Sequence, residues 1–300
     1  MKKQYWLARP RGYCMGVARA LKLLDDTLAS TQDTVYVRQE IVHNQYLVEH
    51  YRALGAVVVN EVSEVPRGGT VVFSAHGVAP SVRELARERE LRVIDATCPL
   101  VAKVHREAVR LREAGREIVL IGVRGHKEMI GVTGEAPENI TLIERAEEIQ
   151  NLQIRDPSRV AWLSQTTLNV DDTLELVRQL REKYPEIQGP DSSDICQATK
   201  ERQQAVKCFA GECELFLVVG SRSSSNTKRL AEVAADCGAK RVLRIDGPEE
   251  LAWLPFSEIS KIGITSGVSV SPAQLRQITD YVEGLGYEFA GERTPEAAKP

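Results

Sequence analysis

Residues 95–128 read DATCPLVAKVHREAVRLREAGREIVLIGVRGHKE, and this stretch decides the fold. Pro99 after Cys98 suits the first turn of a helix and makes Cys98 its N-cap. Apolar residues then recur at helical spacing through LVAKVHREAVRLREAG (100–115). EIVLIG (117–122) follows, a short continuous β-rich run of the kind that parallel sheets bury on both faces. The polar loop VRGHKE, with His126 and Glu128, comes next. Cysteine, helix, strand and polar loop thus stand in a fixed order.

The same order appears on either side. Cys14 precedes the helical pattern GVARALKLLDDTL (16–28), the strand VYVR (35–38) and the loop QEIVHN with His43. Cys196 precedes KERQQAVKCFAGE (200–212), LFLVVG (215–220) and the loop SRSSSN with Ser224. His43 lies 29 residues after Cys14, His126 28 after Cys98 and Ser224 28 after Cys196. Each third then reaches a second polar loop after a second strand: SAHG with His76 after TVVFSA (70–75), SQTTL with Thr166 after VAWLS (160–164), and TSGVS with Ser269 in and after KIGITS (261–266). The second-loop offsets are 62, 68 and 73 residues. A further helical pattern, VDDTLELVRQLREKY, covers 170–184.

Alternating strands and helices with apolar strands predict an α/β chain of three repeat-related parallel units. Ligands in such sheets sit beyond the carboxyl ends of the strands, where all six loops fall. The expected units are 1–98, 99–192 and 193–288, the second boundary marked by the turn-rich Pro190-Asp191-Ser192-Ser193. Residues 289–300 lack apolar periodicity and are expected to be a disordered tail.

Three hundred residues with 43% apolar content can bury a large core. A net charge of −3 gives no sign of a nucleic-acid partner. No window approaches the ~20 apolar residues that span a membrane. The start, MKKQYWLARPRGYC, carries arginines where an export signal needs an apolar stretch. A cytoplasmic enzyme is therefore expected, in a compartment that keeps thiols reduced.

Six cysteines are too few for a disulfide scaffold. Cys14, Cys98 and Cys196 each open a helix, where the positive helix end favours a thiolate. None belongs to a CxxC pair, which argues against zinc ribbons and thioredoxin chemistry. Taken singly, each is as readily a small buried hydrophobe. Together they suit an iron–sulfur cluster with one iron open to substrate. Cys208, Cys213 and Cys237 have no repeat partner and read as core or surface thiols.

His43, His76 and His126 occupy matching loops and can donate to a phosphate. His50 and His105 fall inside helical patterns and read as structural. Gly220-Ser221-Arg222-Ser223-Ser224-Ser225-Asn226 joins a strand to a helix and can cradle an anion with hydroxyls, an amide and free N–H groups, though serine-rich loops also simply cap helices. Ser269 supplies a hydroxyl at the matching place in TSGVS. Glu128 beside His126 can deliver a proton to a leaving hydroxyl, with Thr166 relaying it or orienting the oxygen; a loop glutamate alone would read as a solvated charge.

PRGYCMGV, VRQEIVHN, FSAHGV, DATCPLVAKVH, SQTTLNVDDT, DSSDICQATKERQ and VVGSRSSSN resemble, in the same order from about residue 5 to 285, the signature segments of the LytB (IspH) family of 4-hydroxy-3-methylbut-2-enyl diphosphate reductases. The resemblance implies a trefoil of three α/β units around one [4Fe–4S] cluster held by Cys14, Cys98 and Cys196. It implies that His43, His76, His126, Ser224, Ser225, Asn226 and Ser269 hold a substrate diphosphate, and that Glu128 is the proton donor with Thr166 beside it. The implied reaction is the last step of the non-mevalonate isoprenoid route, with electrons from a ferredoxin or flavodoxin.

Three segments depart from the family pattern. Lys127 stands where GHPE has proline, the continuation is GVTG rather than GTxG, and TSGVSVSP replaces TAGAS followed by proline. Lys127 is expected to add positive charge near the diphosphate. Three other readings stay open at this point: a paralogous iron–sulfur reductase acting on another phosphorylated allylic alcohol, an iron–sulfur sensor or cluster carrier, for which Glu128 would be dispensable, and a zinc- or nucleotide-binding α/β protein without a cluster, which would be colourless.

Overall fold

The computed structural model describes residues 2–295. In chain order it begins with β1 (Gln4–Ala8), α1 (Met15–Ser30), β2 (Val35–Arg38), α2 (Gln45–Ala53), β3 (Val57–Val59), β4 (Thr70–Phe73), α3 (Pro80–Glu88) and β5 (Arg92–Asp95). The middle of the chain forms α4 (Pro99–Glu113), β6 (Glu117–Ile121), α5 (Lys127–Thr133), β7 (Ile140–Ile143), α6 (Ala146–Gln150), β8 (Val160–Ser164) and α7 (Val170–Lys183). The last third forms α8 (Gln197–Lys207), β9 (Leu215–Val219), α9 (Ser225–Asp236), β10 (Val242–Ile245), β11 (Lys261–Ser266), α10 (Pro272–Gly284) and β12 (Glu288–Arg293).

These strands make three parallel sheets, as the strand–helix alternation predicts. Their orders are β3-β2-β4-β5, β7-β6-β8 and β10-β9-β11-β1-β12. The chain separates into two compact units, one of Met15–Cys196 and one of Met1–Cys14 with Gln197–Pro300. The first holds the four- and three-stranded sheets, the second the five-stranded sheet.

Central strands are apolar on both faces because helices cover both. Leu215 to Val219 are all fully buried, and so are Ile118 to Ile121. One side of β9 packs Leu215, Leu217 and Val219 with Ile262, Ile264 and Ile278. Its other side packs Phe216 and Val218 with Val206, Phe209 and Leu230. The six strands expected from β-rich runs are all present at or within a residue or two of their predicted ends. Helix starts follow capping chemistry. Pro99 sits in the first turn of α4 with Cys98 as N-cap. Asn169 accepts from Asp171 N–H at 2.9 Å, and α7 then runs from acids in its first turn to Arg181 and Lys183 in its last.

The two chain ends depart from expectation. β1 was not visible as a strand and lies between β11 and β12 in the sheet of the last third. The tail expected to be disordered from residue 289 instead continues as β12 through Arg293, paired parallel to β1. Main-chain ladder bonds, the 5.4 Å Tyr5–Phe289 ring contact and ion pairs of Arg9 and Arg11 with Glu292 hold it. An edge strand with one exposed aromatic and alternating charges shows no apolar period to read. The remainder of the expected tail, residues 296–300, lies outside the described residues.

Candidate functional site

Within the unit of residues 15–196, the loops after β2, β4 and β6 bring three histidines together. Ring centroids are 4.1 Å apart for His43–His76, 5.3 Å for His43–His126 and 5.8 Å for His76–His126. Each ring is oriented through Nδ1. His43 meets Glu40 at 2.9 Å, His76 meets the Ser74 hydroxyl at 3.2 Å, and His126 accepts from Glu128 N–H at 3.2 Å. Because His126 Nδ1 is an acceptor, the neutral ring carries its proton on Nε2, the form that donates to an anion. Burial, then the neighbouring His43 and Lys127 charges, pushes His126 down to about 4; burial chiefly lowers His76 as well. His76 and His126 are therefore neutral near pH 7.

Glu40, which the sequence did not single out, organises this cluster. Its carboxylate accepts from His43 and lies 3.5 Å from Lys127 Nζ, and the His43 bond followed by the Lys127 charge holds it below the usual range against burial. Lys127 thus lies beside the histidines in an ion pair with Glu40.

Glu128 lies in the first turn of α5 and is buried. Thr166 N–H donates to its Oε1 at 2.8 Å and Thr166 Oγ1 to its Oε2 at 3.0 Å. Burial raises Glu128 to about 7, and the two Thr166 bonds oppose that rise. A carboxyl poised near neutrality can hold and release a proton under working conditions. Asp194, also missed in the sequence, accepts from Ser164 N–H at 2.9 Å and Lys103 Nζ at 3.1 Å, pinning the DSSDIC turn that ends in Cys196.

The three repeat cysteines share one anchoring rule. Cys98 N–H donates to Ala75 O at 3.0 Å, Cys196 N–H to Thr166 O at 3.1 Å, and Cys14 N–H to Val268 O at 3.2 Å. Each acceptor belongs to the second polar loop of the repeat before, counted cyclically. All three cysteines are partly exposed and free of disulfides. Cys213 contrasts with them: it is buried among apolar side chains, and burial pushes its thiol up to about 12. Among the described residues no three His, Cys, Asp or Glu side chains group around a single-ion site. A polynuclear cluster makes no such demand, because each thiolate binds a different iron.

In the unit of residues 1–14 and 197–300, Ser224 is the N-cap of α9 and accepts from Thr227 N–H at 3.2 Å. Gly220 turns the chain out of β9 with φ +136°, a conformation open to glycine. Asn226 Oδ1 accepts from Val268 N–H at 3.1 Å, tying the serine loop to the loop of Ser269. Its Nδ2 is buried and makes no hydrogen bond, so the amide offers a donor to an acceptor-rich ligand. Gly267 lets this approach happen, since a Cβ there would collide with Thr227 Oγ1. Ser225 stands in the first turn of α9, Ser269 is buried, and Arg202, itself buried, donates to Gly12 O at 2.6 Å behind Cys14. Neither Asn226's orphan amide nor the Arg202 tie has a signal in sequence spacing.

The chain resembles known proteins over its length. A family model described as LytB protein matches residues 6–283. The 4-hydroxy-3-methylbut-2-enyl diphosphate reductase of Acidothermus cellulolyticus is 50% identical over 291 residues, 97% of this chain and 86% of that protein. The solved E-1-hydroxy-2-methyl-but-2-enyl-4-diphosphate reductase of Plasmodium falciparum superposes with a TM-score of 0.93 at 32% identity, covering 100% of this chain and 94% of that one. A second solved structure, an (E)-4-hydroxy-3-methyl-but-2-enyl diphosphate reductase described as the terminal enzyme of the non-mevalonate pathway, gives a TM-score of 0.66 at 30% identity, covering 94% of this chain and 99% of that one.

Proposed function

The chain belongs to the LytB family, and on that premise we propose that it reduces (E)-4-hydroxy-3-methylbut-2-enyl diphosphate to isopentenyl and dimethylallyl diphosphate. Two electrons and two protons are consumed. The terminal C–O bond breaks, the oxygen leaves as water with one proton, and the other proton ends on carbon at either end of the allyl unit. The observation that carries this reading is the buried Glu128 carboxyl, poised near neutrality, gripped by Thr166 and joined through its own N–H to His126 of the histidine cluster.

Cys14, Cys98 and Cys196 would hold one [4Fe–4S] cluster. Their partial exposure, their matching anchors and the lack of acids in the first turns of α1, α4 and α8 fit an anionic thiolate set. When bound, the cluster supplies a Lewis-acidic open iron for the substrate hydroxyl and a conduit for the electrons. The remaining work belongs to side chains. His43, His76 and His126, with Ser224, Ser225, Asn226 and Ser269, bind the diphosphate and so fix the hydroxyl for proton transfer. Thr166 holds the Glu128 carboxyl in one orientation, and Glu128 gives its proton to the departing oxygen. Electrons come from a ferredoxin or flavodoxin, in a reducing compartment such as the cytoplasm. No described helix is long and apolar enough to cross a membrane.

Anaerobic purification, iron and sulfide determination, and turnover with dithionite-reduced methyl viologen test the proposal. Formation of both five-carbon diphosphates, lost in Glu128→Gln, is expected. A cluster-loaded protein without turnover would sink it.

A further inference from the structure

The proposed reaction takes two electrons from outside the chain, and the first turns of α1 and α4 present a surface suited to their carrier. Met15, the residue directly after Cys14, is 90% exposed, the most exposed large apolar side chain among the described residues. Leu100, two residues after Cys98, is 41% exposed. Arg19, one turn along α1 from Met15, donates to Thr97 O at 3.0 Å, so the start of α1 lies against the turn that ends in Cys98. Met15, Arg19 and Lys22 share the outward face of α1 and are all exposed.

The outward charges nearest the start of α1, Arg19 and Lys22, are cationic, while the exposed Asp95 is occupied by the N–H and hydroxyl of Thr97. Neither helix has an acid in its first turn. Lys22 pairs with Asp26 at 2.9 Å, but both are largely exposed, and such a pair is weak enough to yield its cation to a partner's carboxylate. An adaptable apolar centre with a cationic rim is what a short-lived redox encounter needs: small contact area, charge steering and fast release.

We infer that Met15 and Leu100, rimmed by Arg19 and Lys22, form the docking face for a small acidic one-electron carrier protein. The inference rests on the proposed reaction. Two reduced carriers each lose one electron per substrate, which with two protons accounts for one C–O bond broken, one C–H bond formed and one water released. The face adjoins Cys14 and Cys98 along the chain, so the electron path to either thiolate is one or two residues long.

The cluster-loaded Met15→Glu/Leu100→Glu double variant and a separate Lys22→Glu variant test this, each assayed with reduced methyl viologen and with a reduced acidic ferredoxin. Methyl viologen needs no docking face, so its turnover is expected to stay at the parent level. The ferredoxin KM of the double variant is expected to rise about tenfold, and Lys22→Glu to flatten the salt dependence of ferredoxin-driven turnover. An unchanged ferredoxin KM, or viologen turnover falling in parallel with ferredoxin turnover, overturns the docking face alone. Absence of viologen turnover in the parent protein overturns the reaction and the docking face with it.

Discussion

Thr166 grips both oxygens of the Glu128 carboxylate, its N–H at 2.8 Å from Oε1 and its hydroxyl at 3.0 Å from Oε2, while its own carbonyl accepts the N–H of Cys196. One residue therefore sets the direction of the proposed acid and the seat of a proposed ligand. Removing the acid tests the arrangement directly. Glu128→Gln should lower kcat by about a hundredfold or more with the cluster intact, the range expected for a lost general acid.

The pH dependence follows from burial. Glu128 is raised from 4.5 to about 7, and the protonated form is the donor. Turnover should fall as pH rises through about 7. Stability moves the same way: a carboxyl whose folded pKa is raised contributes fully below its unfolded value and loses that contribution as pH rises through the folded one. Glu128→Gln, always neutral, should therefore gain melting temperature relative to the parent between pH 5 and pH 8. Equal pH slopes of Tm for the two proteins would contradict a neutral buried Glu128.

Thr166→Val removes the hydroxyl donor and keeps the N–H. Both Thr166 bonds stabilise the charged carboxylate, so the loss of one should move the alkaline limb of the kcat profile to higher pH. A limb that moves down, or stays, would show that the hydroxyl does not face the ionising oxygen.

Lys127 and His43 share one carboxylate oxygen of Glu40, Oε2. Lys127→Pro should leave the Glu40 charge uncompensated beside the histidines and raise the substrate KM several-fold, with a shallower salt dependence. Adding Glu40→Gln should recover part of the loss. If Lys127→Pro changes neither KM nor its salt dependence, the lysine has no bearing on the anion.

The repeat was legible because each third places a cysteine, two apolar strands and two polar loops at similar offsets, and those strands are central and doubly covered. β3 and β5 escaped because they are sheet edges whose Val57 and Val93 face solvent, so no run of buried residues marks them. β1 escaped because its partners lie more than two hundred residues away, and strand pairing at that distance leaves no local period. The histidine loops were legible for the same reason as the cysteines, but their second layer was not. Glu40 reads as a loop carboxylate and Asp194 as part of a turn, and only the fold reveals that one orients His43 and the other anchors the chain before Cys196.

Asn226 separates a structural tie from a ligand contact within a single side chain. Its Oδ1 holds Val268 N–H, and its buried Nδ2 makes no hydrogen bond. Asn226→Asp keeps the acceptor and replaces the donor with negative charge. Folding should survive, with Tm near the parent's, while the diphosphate KM and the dissociation constant of inorganic pyrophosphate rise about a hundredfold, the combined effect of a lost charge-assisted bond and like-charge repulsion. Asn226→Ala removes both functions and should lower Tm as well, because the Val268 N–H loses its partner. Calorimetric titration with pyrophosphate and a thermal melt of each variant distinguish the roles. Parent-like pyrophosphate binding by Asn226→Asp would reduce Asn226 to a loop tie and remove the amide from the anion site.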